Sequence, residues 1–210
     1  MIHNSLDPKM KYSTAWTGFL TQGLCWAWIV VPYDPSSPLE RIVRDIQQAI
    51  KVKLYYPALL VALTIPDICM GLTLNKSDFV KKNHYIEFIN RYTTEQSLGL
   101  DGTSCYQLRG GLVHRADLRG HAYFDNTHVI FTVPESRGHI HALTLVVEDK
   151  RAAMFDLELF CQAMIGAARK WYEDHKNDPM VVENLKNLIR WCPEGLPPFV
   201  GGLPVVASGA

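Results

Sequence analysis

Apolar side chains recur every three or four residues along much of the chain, a spacing typical of helices that bury one face. The first such helix is predicted from about residue 38 to about residue 53. Ser37 and Glu40 are spaced as in a capping box, with Pro38 at the first helical position. Its predicted core positions are Ile42, Val43, Ile46 and Ile50.

A second predicted helix, opened by Pro57, is apolar on every side from Ala58 to Leu63. Such a helix belongs at the centre of a domain. Pro66 is expected to kink or break it, and Asp67 could cap the helical segment after the break. We interpret the segment as a core helix, because it is short for a membrane span and contains both of these residues.

Two further helices are predicted in the first half of the chain. Residues 77–78 are expected to cap a third helix, whose inward positions include Phe79, Ile89 and Tyr92. After a polar turn, residues 101–104 offer several caps for a fourth helix, which carries Arg109 and His114.

The period then changes to that of strands. Residues 127–133 and 139–147 are rich in apolar and β-branched side chains, and residues 134–138 can form the loop between them. The pattern predicts a β-hairpin over about 127–147. Amphipathic helices are predicted from Asp156 to about Lys176 and from Asp178 to about Trp191. The fold class predicted is therefore mainly α, a helical bundle with an inserted β-hairpin.

The two ends of the chain differ from this domain of residues 38–192. Residues 1–37 form an accessory segment in which an apolar run, Trp16 to Val31, comes after two lysines and precedes a Pro-rich linker. It could pack on the domain or be poorly ordered, touch a membrane, or be dispensable to the fold. Residues 193–210 are rich in Pro and Gly and are expected to extend over the surface.

Composition narrows the functional classes. The 210 residues carry a formal net charge of zero with neutral histidines, so any nucleic-acid contact must come from a local patch. The odd number of cysteines and their wide spacing disfavour a disulfide framework or a zinc ribbon. Buried thiols in a reducing compartment, and so a cytoplasmic protein, are the simpler interpretation. The cysteines are Cys25, Cys69, Cys105, Cys161 and Cys192.

The candidate chemistry lies on the fourth predicted helix. Arg109 precedes His114 by five residues, about 7.5 Å of rise and about 140° of rotation, so two long side chains could meet on one small anion. Arginine suits phosphate, and histidine exchanges protons near neutral pH. The candidate substrate-binding residues beside the pair are Tyr106, Gly110 and Arg115, with Tyr106 able to stack a base. The alternative is structural: an arginine paired with a carboxylate and a histidine bonded in the core.

Other sequence features offer less chemistry. His139 and His141 would face the same side of a strand, and with Asp125 they could form a metal site; the alternative is that they are exposed edge-strand histidines. Phosphate-binding loops, nucleophile elbows and dinucleotide fingerprints are absent from the sequence. We expect no cofactor.

The segment Leu108-Arg109-Gly110-Gly111-Leu112-Val113-His114 resembles the Arg-x₄₋₆-His signature of the HEPN superfamily. The resemblance loosely covers residues 38–192. It implies metal-independent RNA cleavage at a site where two motifs meet across a homodimer, with Arg109 stabilising phosphate charge and His114 acting as acid or base. Two positions depart from the family: Gly110 replaces a frequent polar residue, and Ala116 replaces a tyrosine that some members carry.

From this resemblance we expect a homodimeric endoribonuclease, in a setting of bacterial defence or stress response. RNA or a nucleotide would be its ligand, and a membrane partner is not expected. The alternative is a non-catalytic module of the same fold that binds a nucleotide or a protein. The sequence indicates no particular RNA and no cognate regulatory partner.

Overall fold

The computed structural model describes residues 37–118, 127–135 and 138–209, so the predicted accessory segment lies outside the described residues except for Ser37. The described part of the chain is mainly helical, as predicted. Its helices are α1 (Pro38–Lys51), α2 (Tyr55–Leu72), α3 (Lys82–Tyr92), α4 (Glu95–Leu98), α5 (Gly102–Arg115), α6 (Leu157–His175) and α7 (Pro179–Leu185). Its strands are β1 (Thr127–Thr132), β2 (Leu143–Val147), β3 (Lys150–Asp156), β4 (Arg190–Cys192), β5 (Gly195–Leu196), β6 (Val200–Gly201) and β7 (Val205–Ala207).

Helix α2 lies at the centre of the helical layer and contacts α1, α3, α5, α6 and α7. Ala62, Leu63 and Ile65 are completely buried in it, which explains why the segment lacks a polar face. Within the described ranges, α2 is the one helix long and apolar enough to cross a membrane, and 44% of it is buried inside the protein. Its neighbours make α2 the core helix that the sequence predicted.

Pro66 does not break α2, which excludes one of the two outcomes expected of it; it is buried in the middle of the continuous helix. A proline removes one backbone donor from the helical ladder, and neighbouring groups can supply others. The hydroxyl of Tyr85 on α3 donates a hydrogen bond to the Leu63 carbonyl at 2.9 Å, and the Thr64 hydroxyl donates to the Val61 carbonyl at 2.8 Å. The Tyr85 bond therefore ties α3 to the turn of α2 that precedes the proline.

Two of the predicted helix starts differ from the structure. Ser37 precedes α1, but its side chain makes no capping hydrogen bond, and Pro38 alone marks the start. The third helix begins at Lys82 and not at residues 77–78, where a turn is present instead. Asp101 caps α5 as expected, because its carboxylate accepts a hydrogen bond from the Ser104 amide at 2.7 Å.

The predicted hairpin of residues 127–147 is wrong in its pairing. Strands β1 and β2 do not pair with each other; β3 lies between them, parallel to β1 and antiparallel to β2. The tight connection is the two-residue turn of Glu148 and Asp149 between β2 and β3, with Glu148 at a φ of 55°. β1 and β2 consequently lie at opposite edges of this sheet.

One face of this sheet packs on the helices. Val129 and Phe155 are buried there, and Phe131 packs against them from β1. The ring of Phe131 lies 5.5 Å from that of Phe155 and 5.4 Å from that of Phe160 on α6. These aromatic contacts fix the sheet at the beginning of α6.

The sequence predicted an extended tail, but the tail contains short paired strands. Helix α7 ends at Leu185, short of the predicted Trp191, and the chain then forms two small antiparallel pairs, β4 with β7 and β5 with β6. Glycines supply the turns: at Gly195, with a φ of 89°, an added Cβ would lie 2.3 Å from the Val200 carbonyl oxygen. The Pro- and Gly-rich composition therefore forms tight turns between short strands.

A buried ion pair joins the first and last long helices. The Arg169 guanidinium on α6 donates two hydrogen bonds to the Glu40 carboxylate on α1, at 2.6 and 3.1 Å. Glu40 is only 5% exposed, and the bidentate geometry provides two charge-assisted bonds.

Replacing Glu40 by Ala is expected to lower the free energy of unfolding by about 3 kcal/mol, because it leaves the Arg169 cation partly buried without this carboxylate. Urea titration followed by circular dichroism measures the change. The matched control is Glu183→Ala, which removes an exposed pair with Lys186 and should cost less than about 0.5 kcal/mol. Equal effects of the two substitutions would contradict the assignment.

Candidate functional site

Arg109 on α5 is anchored to α2 by an ion pair. Its Nε atom donates a hydrogen bond to Oδ2 of Asp67 at 2.8 Å, and the two side chains are 23% and 18% exposed. No other hydrogen bond of Arg109 occurs within the described ranges, so its two Nη groups remain available to a ligand. The pair thus fixes the direction of the guanidinium through Nε alone.

Tyr106 lies one helical turn before Arg109, and its ring lies beside the Arg109 side chain. The Arg109 guanidinium is 5.7 Å from the centre of the Tyr106 ring, and the Lys82 ammonium on α3 is 6.0 Å from it. The Tyr85 ring supports Tyr106 edge-on, with the ring centres 5.4 Å apart. Two cations therefore lie at one partly exposed aromatic ring, and the Asp67 carboxylate neutralises one of them.

The electrostatics of Asp67 are set by its position in an apolar helix. Burial raises the pKa of its carboxyl group above the ordinary value, and the hydrogen bond and charge of Arg109 only partly reverse that rise. Because the carboxylate is costly to bury alone, Arg109 is the partner that makes it tolerable at this depth.

His114 lies in the last turn of α5 and is exposed. Five residues of helix place it about 140° around the axis from Arg109. The structure shows no hydrogen bond or ion pair of His114 in the part of the chain it describes, so the two predicted catalytic residues are not joined within one protomer. Arg115 is the next residue along the chain, exposed and in the same last turn.

The two glycines of the motif have different surroundings. At Gly110 an added Cβ would meet nothing within 4 Å, so this predicted substrate-binding position borders open space. At Gly111 an added Cβ would lie 2.6 Å from the Asp117 carbonyl oxygen. The chain turns back there: Ala116 has a φ of 51°, and the Asp117 amide donates to the Gly111 carbonyl. The close turn of the chain at the end of α5 therefore explains why residue 111 is a glycine.

The sequence interpretation missed Asp67 as a member of this site. It considered the residue only as a helix cap after Pro66. The signal was present, since Asp67 is the sole charged residue of α2, but its partner lies 42 residues further along the chain. A partly buried carboxylate in an apolar helix favours a nearby cation, and that preference could have pointed to Arg109.

His139 and His141 are not in a strand, because both precede β2. Nδ1 of His139 is within hydrogen-bond distance of the Asp156 carboxylate, and His141 forms hydrogen bonds with the backbone of Asp156 and of Ser97. Across the described ranges, no group of three or more His, Cys, Asp or Glu side chains is arranged to hold a metal ion. Asp125, the other proposed ligand, lies outside the described residues.

Comparison of the chain with protein-family models, with curated proteins and with solved structures gave no match. Function is therefore inferred from the geometry around Arg109.

The two motif glycines provide a matched pair of substitutions. Gly110→Ala should raise the free energy of unfolding by about 0.5 to 1 kcal/mol, since alanine is the better helix former and the added methyl group meets open space. Gly111→Ala should lower it by about 1 kcal/mol or more, because the methyl group meets the backbone of Asp117. Thermal and urea unfolding test both values, and a stabilising Gly111→Ala would refute the close backbone approach.

Proposed function

We propose that the protein is a metal-independent endoribonuclease of HEPN type, in which Arg109 holds the scissile phosphate. The observation that supports this most directly is the fixed guanidinium, tied by Nε to Asp67 and stacked beside Tyr106, with its Nη edge unoccupied by described residues. An arginine oriented before substrate arrives stabilises developing phosphate charge without reorganising. Lys82 adds a second positive charge at the same ring.

His114 is the proposed proton-transfer residue. Its exposed ring can reach an RNA backbone that lies along the end of α5, where it would take the proton of a ribose hydroxyl or give one to the leaving oxygen. Tyr106 would stack a base, Gly110 would let the backbone of the RNA approach, and Arg115 would contact a neighbouring phosphate.

A second copy of the chain completes the proposed site. Arg109 and His114 do not contact each other in one protomer, and the resemblance to HEPN proteins implies that two motifs face each other in a homodimer. An arginine from one α5 and a histidine from the other could then act on the same phosphodiester. The buried Cys69, Cys105 and Cys161 suit a reducing compartment, so we place the activity in the cytoplasm, away from membranes.

A second candidate is a non-catalytic module that binds a nucleotide or a protein. The observation that favours it is the same ion pair: Asp67 already neutralises Arg109, and the net charge of the chain is zero. A site of this kind would hold one phosphate group and a stacked base without proton transfer by His114.

Cleavage of a mixed-sequence RNA in excess EDTA separates the candidates. Arg109→Ala and His114→Ala should each lower the cleavage rate by about 100-fold or more, because they remove charge stabilisation and proton transfer respectively. The rate should depend on protein concentration where the copies associate, which sedimentation measures independently.

The matched controls are Arg44→Ala and His128→Ala, which remove an exposed arginine on α1 and an exposed histidine on β1. Neither should change the rate by more than about twofold. Cleavage that persists in His114→Ala would refute the assigned acid–base role. Absence of cleavage by dimeric wild-type protein, with thermal stabilisation by a nucleotide that Arg109→Ala abolishes, would favour the binding module.

A further inference from the structure

Two histidines bond residues 138–142, the segment that leads into β2, to the carboxyl end of β3. Ala142 of this segment packs against Gly99, where an added Cβ would lie 3.0 Å from the Ala142 side chain. His139 and His141 both bond Asp156, which ends β3 and caps α6. We call His139, His141 and Asp156 the histidine clasp.

Asp156 is the fixed centre of the clasp. Its side chain is 3% exposed; Oδ1 accepts a hydrogen bond from the Leu159 amide at 2.9 Å, and Oδ2 lies 2.6 Å from Nδ1 of His139. The His139 ring that faces this carboxylate is 73% exposed, and it forms an ion pair with Asp156 when it is protonated.

His141 requires the opposite protonation state. Its Nδ1 accepts a hydrogen bond from the Asp156 amide at 3.2 Å, so that nitrogen carries no proton. Its Nε2 lies 3.1 Å from the Ser97 carbonyl oxygen, so that nitrogen must be the donor. The two bonds together specify a neutral ring with the proton on Nε2, because a charged ring could not accept from the amide.

We propose that the histidine clasp is a two-sided proton switch that holds residues 139–142 on α4 and α6 most firmly while His139 is protonated and His141 is not. Protonation of His141 ends its bond to the Asp156 amide. Deprotonation of His139 removes the positive charge from its contact with the Asp156 carboxylate and leaves a weaker, neutral hydrogen bond from Nδ1. Either event loosens residues 139–142, and β2 loses part of its tie to the helical layer at that end.

The pKa values of the two histidines are shifted in opposite directions from the ordinary value of histidine. The hydrogen bond to Asp156 raises the pKa of His139, with the charges of Asp156 and Glu158 adding to the rise. Burial lowers the pKa of His141, and the Ser97 carbonyl and the Asp156 charge only partly oppose that fall. The Phe155 ring lies edge-on to His141 and adds no charge.

The sign of each contribution is given by linkage. The raised pKa of His139 gives stability that is complete below the ordinary value, about 6.5, and is lost as pH rises through the folded value. The lowered pKa of His141 gives stability that is present above about 6.5 and is lost as pH falls toward the folded value. The clasp is therefore tightest near pH 6.5, with a decline on each side.

Amide hydrogen exchange of the full chain tests the switch. After correction for intrinsic chemical exchange, protection of the Asp156 amide and of residues 139–142 should be greatest near about pH 6.5. It should fall about threefold or more toward both about pH 5 and about pH 8. His141→Gln keeps one acceptor and one donor without a charge, and should abolish the acid decline alone. His139→Gln should abolish the alkaline decline alone.

Ring nitrogen shifts of the wild-type protein give a second measurement that needs no substitution. His139 should titrate above the ordinary pKa of histidine and His141 below it, with the proton of neutral His141 on Nε2. Amides in the middle of α5 are the control and should show no such optimum. Protection of Asp156 that is flat between about pH 5 and about pH 8, or an alkaline decline retained by His139→Gln, would overturn the proposal, as would protonation of His141 at a higher pH than His139.

Discussion

The dominant constraint on this fold is the burial of α2, a helix with no polar face. Such a helix must be enclosed, and α1, α3, α5 and α6 pack around it. Enclosure carries one electrostatic consequence, because Asp67 is taken into the interior with the apolar residues. Arg109 must then approach α2 to neutralise the Asp67 carboxylate. This contact fixes how α5 is rotated about its own axis, and so which of the later residues of α5 are exposed.

A second constraint is the way in which the sheet is joined to the helices. The sheet has only three strands, so it depends on contacts outside itself. Phe155 and Asp156 provide them at one point: the phenyl ring enters the core, and the carboxylate caps α6. The strand and the helix therefore share a junction, and the crossover from β1 is bonded to the same residue.

Local periodicity was enough to predict the main helices, because their core positions are set within one or two turns of chain. The strand pairing was not predictable in this way. β1 and β2 each have the alternating pattern of a hairpin strand, but both pair with β3. The short run of small and apolar residues in β3 did not predict a strand before α6. Pairing is decided by packing on Phe160 and its neighbours, which are distant in sequence.

The candidate site was predictable in part for a similar reason. The residue types at Arg109 and His114 could be read from a single helix, and the open space at Gly110 agrees with a position that a ligand could approach. Asp67 could not be placed there from the helix alone. Gly111, by contrast, owes its identity to the turn at Asp117, which a local pattern of two adjacent glycines does not distinguish from a ligand contact.

The ion pair with Asp67 does not prevent Arg109 from binding a phosphate group. The Asp67 carboxylate bonds Nε alone, whereas the Nη groups have no hydrogen-bond partner among the described residues, and Lys82 contributes a further charge at the Tyr106 ring. The carboxylate and an incoming phosphate would therefore use different nitrogens of the guanidinium. Arg109 can remain tied to α2 through Nε while its Nη groups bind the anion.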